Sequence, residues 1–262
     1  MIPASKAAES MNSLVDVIKS FQGNRPHIGP LHQRRIQGLV DSMPSEFRIV
    51  GECMRDGFLR NFESCDKHLD EAVARSWPDV SYELNIATCM LESFRISDCF
   101  AYIKSLLVHH LDDTQFLYDA CHMMCSVGLY QTAAEICDQL NKLNAEPSDF
   151  DSAAHFFSEK YAEFGISDKE VAEYVTKTSL PVKEHLTDKQ NLVYDVTVEF
   201  FSASYPQTFA FVFHLDEGIE NLVDLSESIA DLLAENEFSE GVERHLAYSV
   251  WAYSEERMKY AS

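Results

Sequence analysis

The sequence predicts a mainly α protein, a series of helix hairpins followed by a small α+β module that contains a β-hairpin. Three observations carry this. Apolar and small residues recur every 34 positions through the middle of the chain. Prolines stand where the second helix of a hairpin has to stop. Near residue 194 the apolar period changes from about 3.6 to 2, the change from helix to strand.

Two helices are expected over residues 5–42, on either side of the loop GNRPHIGP, as an N-terminal helical cap covering residues 1–44. The repeats follow, in a segment assigned to 45–180. A shift of 34 aligns Phe62 with Ile96 and Tyr130, and Cys65 with Cys99 and Ala133. It also aligns Leu69 with Ile103 and Cys137, and Ala72 with Leu106 and Leu140. Upstream, Val50 matches Leu84 and Tyr118, Cys53 matches Ala87 and Cys121, and Gly57 matches Leu91 and Cys125. A recurrence of this length marks one supersecondary unit repeated along the chain. Within the second copy, Leu84, Ala87, Leu91 and Phe94 give one helical face and Cys99, Ile103, Leu106 and Leu107 another. Pro78 and Pro147 close the second helices of copies one and three, because the residue before proline disfavours the helical region.

FDSAAHFFSEKYAEFGISDKEVAEYV, residues 150–175, reads as a divergent fourth hairpin broken at Gly165 and aligned only after insertion of a few residues. The composition shifts at Leu180 and Pro181, and the segment 181–262 is assigned to an acidic α+β module. YDVTVEFF and TFAFVFHL alternate as half-buried strands, the second with Phe209, Phe211, Phe213 and Leu215 on one face and His214 on the other. SASYPQ joins them as an antiparallel hairpin. Two helices are expected after them, over about 218–234 and 239–260. The first has Ile219, Leu222, Val223, Ile229, Leu232 and Leu233 on its apolar side. A lone hairpin is marginally stable, so its phenylalanine face is expected to pack on these helices.

The 34-residue spacing, the small residues at Cys53, Ala87, Cys121, Cys65, Cys99 and Ala133, and the terminal prolines together resemble tetratricopeptide repeats over about 45–148. The pattern departs from that family at Gly57 and Leu91, and no proline closes the second copy. The resemblance implies an α-solenoid whose groove, lined by first helices, binds peptides or protein segments. It places Met54, Thr88, Glu92, Gln115, His122 and Ser126, one turn off the buried column, toward a protein partner.

A net charge of −22 on 262 residues disfavours phosphate-backbone and anionic-membrane binding, which need clustered cations. A basic protein partner is compatible with it, as is charge kept for solubility. From Val182 onward there are sixteen acidic residues and five Lys or Arg. No stretch reaches the 18 or more apolar residues of a membrane span. The N-terminus lacks the apolar core of a signal peptide. Seven cysteines, an odd number, fit reduced thiols and a cytoplasmic setting.

DACHMMCSVGLYQTAAEICDQL concentrates sulfur and a histidine. Cys121 and Cys125 share a helix face, but structural zinc needs two ligand pairs, and Cys137 stands in the column of Leu69 and Ile103. Packing is the expectation, with zinc and a redox thiol as alternatives. In HHLDD, residues 109–113, capping of the next helix by Asp112, Asp113 or Thr114 is expected over metal binding. There is no G-x-S-x-G, H-E-x-x-H, C-x-x-C or phosphate loop, and only nine glycines. The carboxylate clusters read as solvated helix faces. No catalytic, cofactor or metal site is expected.

The function expected is a non-enzymatic protein–protein interaction protein: an adaptor, a chaperone-like binder or a regulator. The alternative is an acidic neutraliser, either immunity or antitoxin-like or a nucleic-acid mimic.

Overall fold

The computed structural model describes residues 4–21, 28–188, 194–204 and 206–253. Most of the loop GNRPHIGP and the end of the helix expected over 239–260 lie outside them. The fold is mainly α with a small α+β module. Two compact units divide the chain. The first holds residues 1–93 and 183–193, the second 94–182 and 194–262.

In the first unit α1 (Ala4–Ser20) pairs with α2 (Pro30–Ser42), and α3 (Arg48–Leu59) with α4 (Phe62–Val73). α5 (Val80–Glu92) packs on both α3 and α4. The second unit contains α6 (Ile96–Leu107), α7 (Thr114–Ser126), α8 (Tyr130–Lys142) and α9 (Asp151–Phe164), with α8 packed against α7 and α9. α10 (Asp168–Asp188) runs through Pro181, where the composition shift suggested a boundary.

The repeat is written in the backbone as well as in the side chains. Arg60, Phe94 and Gly128 have φ of 59°, 61° and 76°, and they stand 34 residues apart. Each begins the turn before a second helix. Gly165, with φ 69°, does the same for the divergent fourth hairpin, three residues later than a strict period would place it. Only Gly128 and Gly165 take this conformation without opposition from a Cβ. Five of the seven aligned columns are buried in every copy. They are those of Cys53, Phe62, Cys65, Leu69 and Ala72. The Val50 and Gly57 columns are buried in some copies only, since Leu84, Leu91 and Tyr118 are half-buried.

Second helices need their first N–H groups closed, and N-caps Arg95 and Leu129 offer no side-chain acceptor. α10 supplies one. Thr176 Oγ1 accepts from Ser97 N (2.9 Å) at the start of α6. Asp168 accepts from Gln131 N (3.1 Å) and Thr132 N (2.6 Å) at the start of α8. Gln131 Oε1 in turn accepts from Asp168 N (3.2 Å), so two helix starts cap one another across the fold.

The α+β module differs from the expected hairpin with two long helices. β1 (Tyr194–Phe201) pairs antiparallel with β2 (Thr208–Leu215), as expected. α11 (Ile219–Ala234) is the crossover to a third strand, β3 (Leu246–Ala252), parallel to β2. Parallel neighbours need such a connection of a dozen or more residues. Of the helix expected over 239–260, the described residues form only α12 (Glu240–His245), followed by strand. β2 is central, and Ala210, Val212 and His214 are buried as fully as the phenylalanine face opposite. That explains a near-continuous apolar run where one wet face was expected. On the phenylalanine face, Phe209 meets Phe200, Tyr130, Phe157, Tyr161 and Phe164.

Candidate functional site

α7 forms because Asp113 caps it, Oδ1 accepting from Phe116 N (3.1 Å), while apolar residues recur at helical spacing behind. The cap is one of the three expected, Asp112, Asp113 and Thr114. Phe116, Leu117, Ala120, Cys121, Met124 and Cys125 are buried. On the opposite face Gln115, His122 and Ser126 are exposed, with half-buried Asp119 between them, at i, i+4, i+7 and i+11. Such spacing is one straight row of side chains. Gln115 Nε2 donates to Asp119 Oδ2 (3.1 Å), and the His122 ring lies 5.2 Å from that of Phe150. Ser126 Oγ donates to Met123 O (2.8 Å), which leaves its oxygen lone pairs to accept.

The other three sequence-derived positions belong to the first unit. Thr88 is exposed on α5, and its hydroxyl donates to Leu84 O (2.9 Å). Glu92, at the end of α5, and Met54, on α3, are half-buried.

The sulfur-rich stretch is packed inside. Cys121 and Cys137 Sγ lie 3.5 Å apart across α7 and α8, and Cys121 Sγ lies 3.7 Å from Ser148 Oγ. Hydrogen bonds from Cys125 and then Cys137 hold the Cys121 thiol well below its ordinary value, against the effect of burial. The same bonds push Cys125 and Cys137 up, as does their burial. In the first unit burial raises Cys53 and Cys65, the latter to about 12. None of the seven thiols is more than 7% exposed. Reactivity requires both thiolate and access. Ellman's reagent is therefore expected to label no cysteine of the native protein and all seven in denaturant. Rapid native labelling at Cys121 would contradict this burial. Among the described residues no group of three or more His, Cys, Asp or Glu is arranged to hold a metal ion.

Two arrangements escape sequence reasoning. Asp56, buried on α3, accepts from Arg55 Nε (2.7 Å) and Nη2 (2.8 Å), and its Oδ2 lies 3.0 Å from His68 Nδ1. It fixes α4 to α3 with charge inside the first unit, and the partners' spacing of 1 and 12 residues gives no periodic signal. The second is a groove of about 430 Å³ between α11 and β3, lined by Ile219, Leu222, Val223, Ser226, Glu227, Ala230, Tyr248 and Val250. α11 buries Leu222, Leu225 and Ile229, whereas Ile219 (76% exposed) and Val223 (49%) stay open to solvent. The sequence placed Ile219, Leu222, Val223, Ile229, Leu232 and Leu233 on one apolar side and left out Leu225. The packed row is in fact narrower, and the row next to it faces the groove.

No helix among the described residues is long and apolar enough to cross a membrane. No known family model, curated protein or solved structure matches the chain.

Proposed function

We propose that this chain is a non-enzymatic interaction protein built on tetratricopeptide-like helix hairpins, binding a protein segment along the exposed face of α7. The observation that carries the reading is the two-sidedness of α7. One face is buried, and the other shows Gln115, Asp119, His122 and Ser126 in a row on the first helix of its hairpin. Polar side chains that stand clear of the core can be exchanged without loss of fold, which suits recognition rather than packing. Met54, Thr88 and Glu92 are the corresponding candidates of the first unit.

The test pairs Gln115→Ala and His122→Ala in one variant. Quantitative mass spectrometry of proteins captured from native lysate should show a specific protein depleted at least about tenfold relative to the unsubstituted chain. The melting temperature should stay within about 2 °C, as for surface substitutions. An unchanged set of captured proteins, or a matching loss of stability, would sink the proposal.

A second reading, neutralisation of a basic partner, is favoured by the net charge of −22. Exposed charge attraction is screened beyond about 8 Å at physiological salt. Capture lost between low and moderate salt would support neutralisation, and salt-insensitive capture that depends on α7 would support the first reading.

A further inference from the structure

We propose that the groove between α11 and β3 docks a short, basic, extended protein segment, which joins β3 as a fourth strand. The site goes beyond the α7 surface and shares no residue with it.

The sheet order β1-β2-β3 leaves β3 at an edge, with its ladder partners on β2. An edge strand offers a row of backbone N–H and C=O groups, and proteins usually blunt it with charge or proline. β1, at the other edge, carries Glu199. β3 reads LAYSVWA, without a charge or a proline. Among the described residues this edge, without charge or proline of its own, lies beside an open apolar groove, the arrangement used in strand addition, where backbone bonds give affinity and pockets for alternate side chains give specificity. Tyr248 Oη donates to Ser226 O (3.0 Å), tying α11 to β3 within the groove that both residues line. Tyr248 and Val250 project from β3 on the side that faces Ile219, Val223 and Ala230.

Charge selects the occupant. Glu220, Asp224, Glu227 and Asp231, all exposed, follow the groove row Ile219, Val223, Ser226 and Ala230 one position round the helix. Between Asp216 and Glu237 there are eight carboxylates and no Lys, Arg or His. The charge of Asp231 reaches the groove, where, after burial, it helps to raise the Tyr248 phenol. An apolar slot with a carboxylate rim suits a strand that alternates aliphatic and cationic side chains.

The probe is a fluorescein-labelled heptapeptide of alternating lysine and valine, titrated into the full chain and read by anisotropy. It is expected to bind at least about tenfold tighter than the matching glutamate–valine peptide. Val223→Lys, at a half-exposed position, should weaken binding about tenfold with the melting temperature unchanged. N-methylation of the peptide at alternate residues should abolish binding, since it removes the donors a ladder requires. Equal binding of the two peptides, full affinity for Val223→Lys, or full affinity of the N-methylated peptide would each overturn the proposal. So would a peptide-free dimer that Val223→Lys dissociates, which assigns the groove to a second copy. Binding seen only after removal of residues 254–262 would assign it to the chain's own end and overturn it equally.

Discussion

Replacing Phe209 by alanine is expected to lower the unfolding free energy by about 3–5 kcal/mol, the range for a large buried aromatic. Phe209 is 1% exposed. Its ring lies 4.7 Å from Phe200, 4.8 Å from Tyr161 and 5.5 Å from Phe157. It therefore joins β1, β2 and α9, and through Tyr130 at 6.2 Å it reaches α8. Neighbours held by ladder bonds and helix packing close only part of the space left behind, so lost transfer energy and cavity add. Urea denaturation of Phe209→Ala and Phe209→Leu measures both terms. The leucine variant should lose less than half as much. A loss below about 1 kcal/mol for alanine would mean that the sheet does not rest on the helices through this ring.

Asp168→Ala is expected to cost about 2–4 kcal/mol, because it strands the buried N–H of Thr132, at about 1–3 kcal/mol, and the half-buried N–H of Gln131, at less. The effect depends on pH. Burial raises the Asp168 carboxyl above its ordinary 3.8, and the bonds from Thr132 and Gln131 only partly oppose it. A folded value above the unfolded one favours the protonated state of the native protein. The stability that the shift contributes is therefore complete below the ordinary value and is lost as pH rises through the raised one. The gap between the unsubstituted chain and Asp168→Ala should narrow on going from acid toward neutral pH. Other carboxylates are common to both proteins and cancel in that difference. A gap that widens toward neutral pH would show that the hydrogen bonds outweigh burial.

The helix hairpins were legible because their signal is local and repeated. Cys53, Ala87 and Cys121 are small for the same packing reason, so each position testifies for the others. The turns were less visible. Arg60 and Phe94 hold the left-handed conformation without being glycine, and among the described residues Gly128 and Gly165 alone mark it by residue type. LAYSVWA was misread because Leu246, Val250 and Tyr253 keep helical spacing while Leu246, Tyr248 and Val250 keep strand spacing. A partner strand at Phe209–Leu215 decides between them, and a one-dimensional pattern does not contain it. The α7 row could be read from the buried column by rotation alone. The α11 groove could not, since Ile219 and Val223 look like core until the limits of the packed row are known.

The caps that α10 lends to α6 and α8 set an order in time. Ser97 waits for a hydroxyl 79 residues downstream, and Thr132 for a carboxylate 36 residues downstream. On the ribosome these two helices emerge with open first turns, and only later synthesis closes them. The segment that looks most like an independent repeat array is thus finished by chain outside it. A fragment cut at Pro147 would keep every repeat column and lack both clasps.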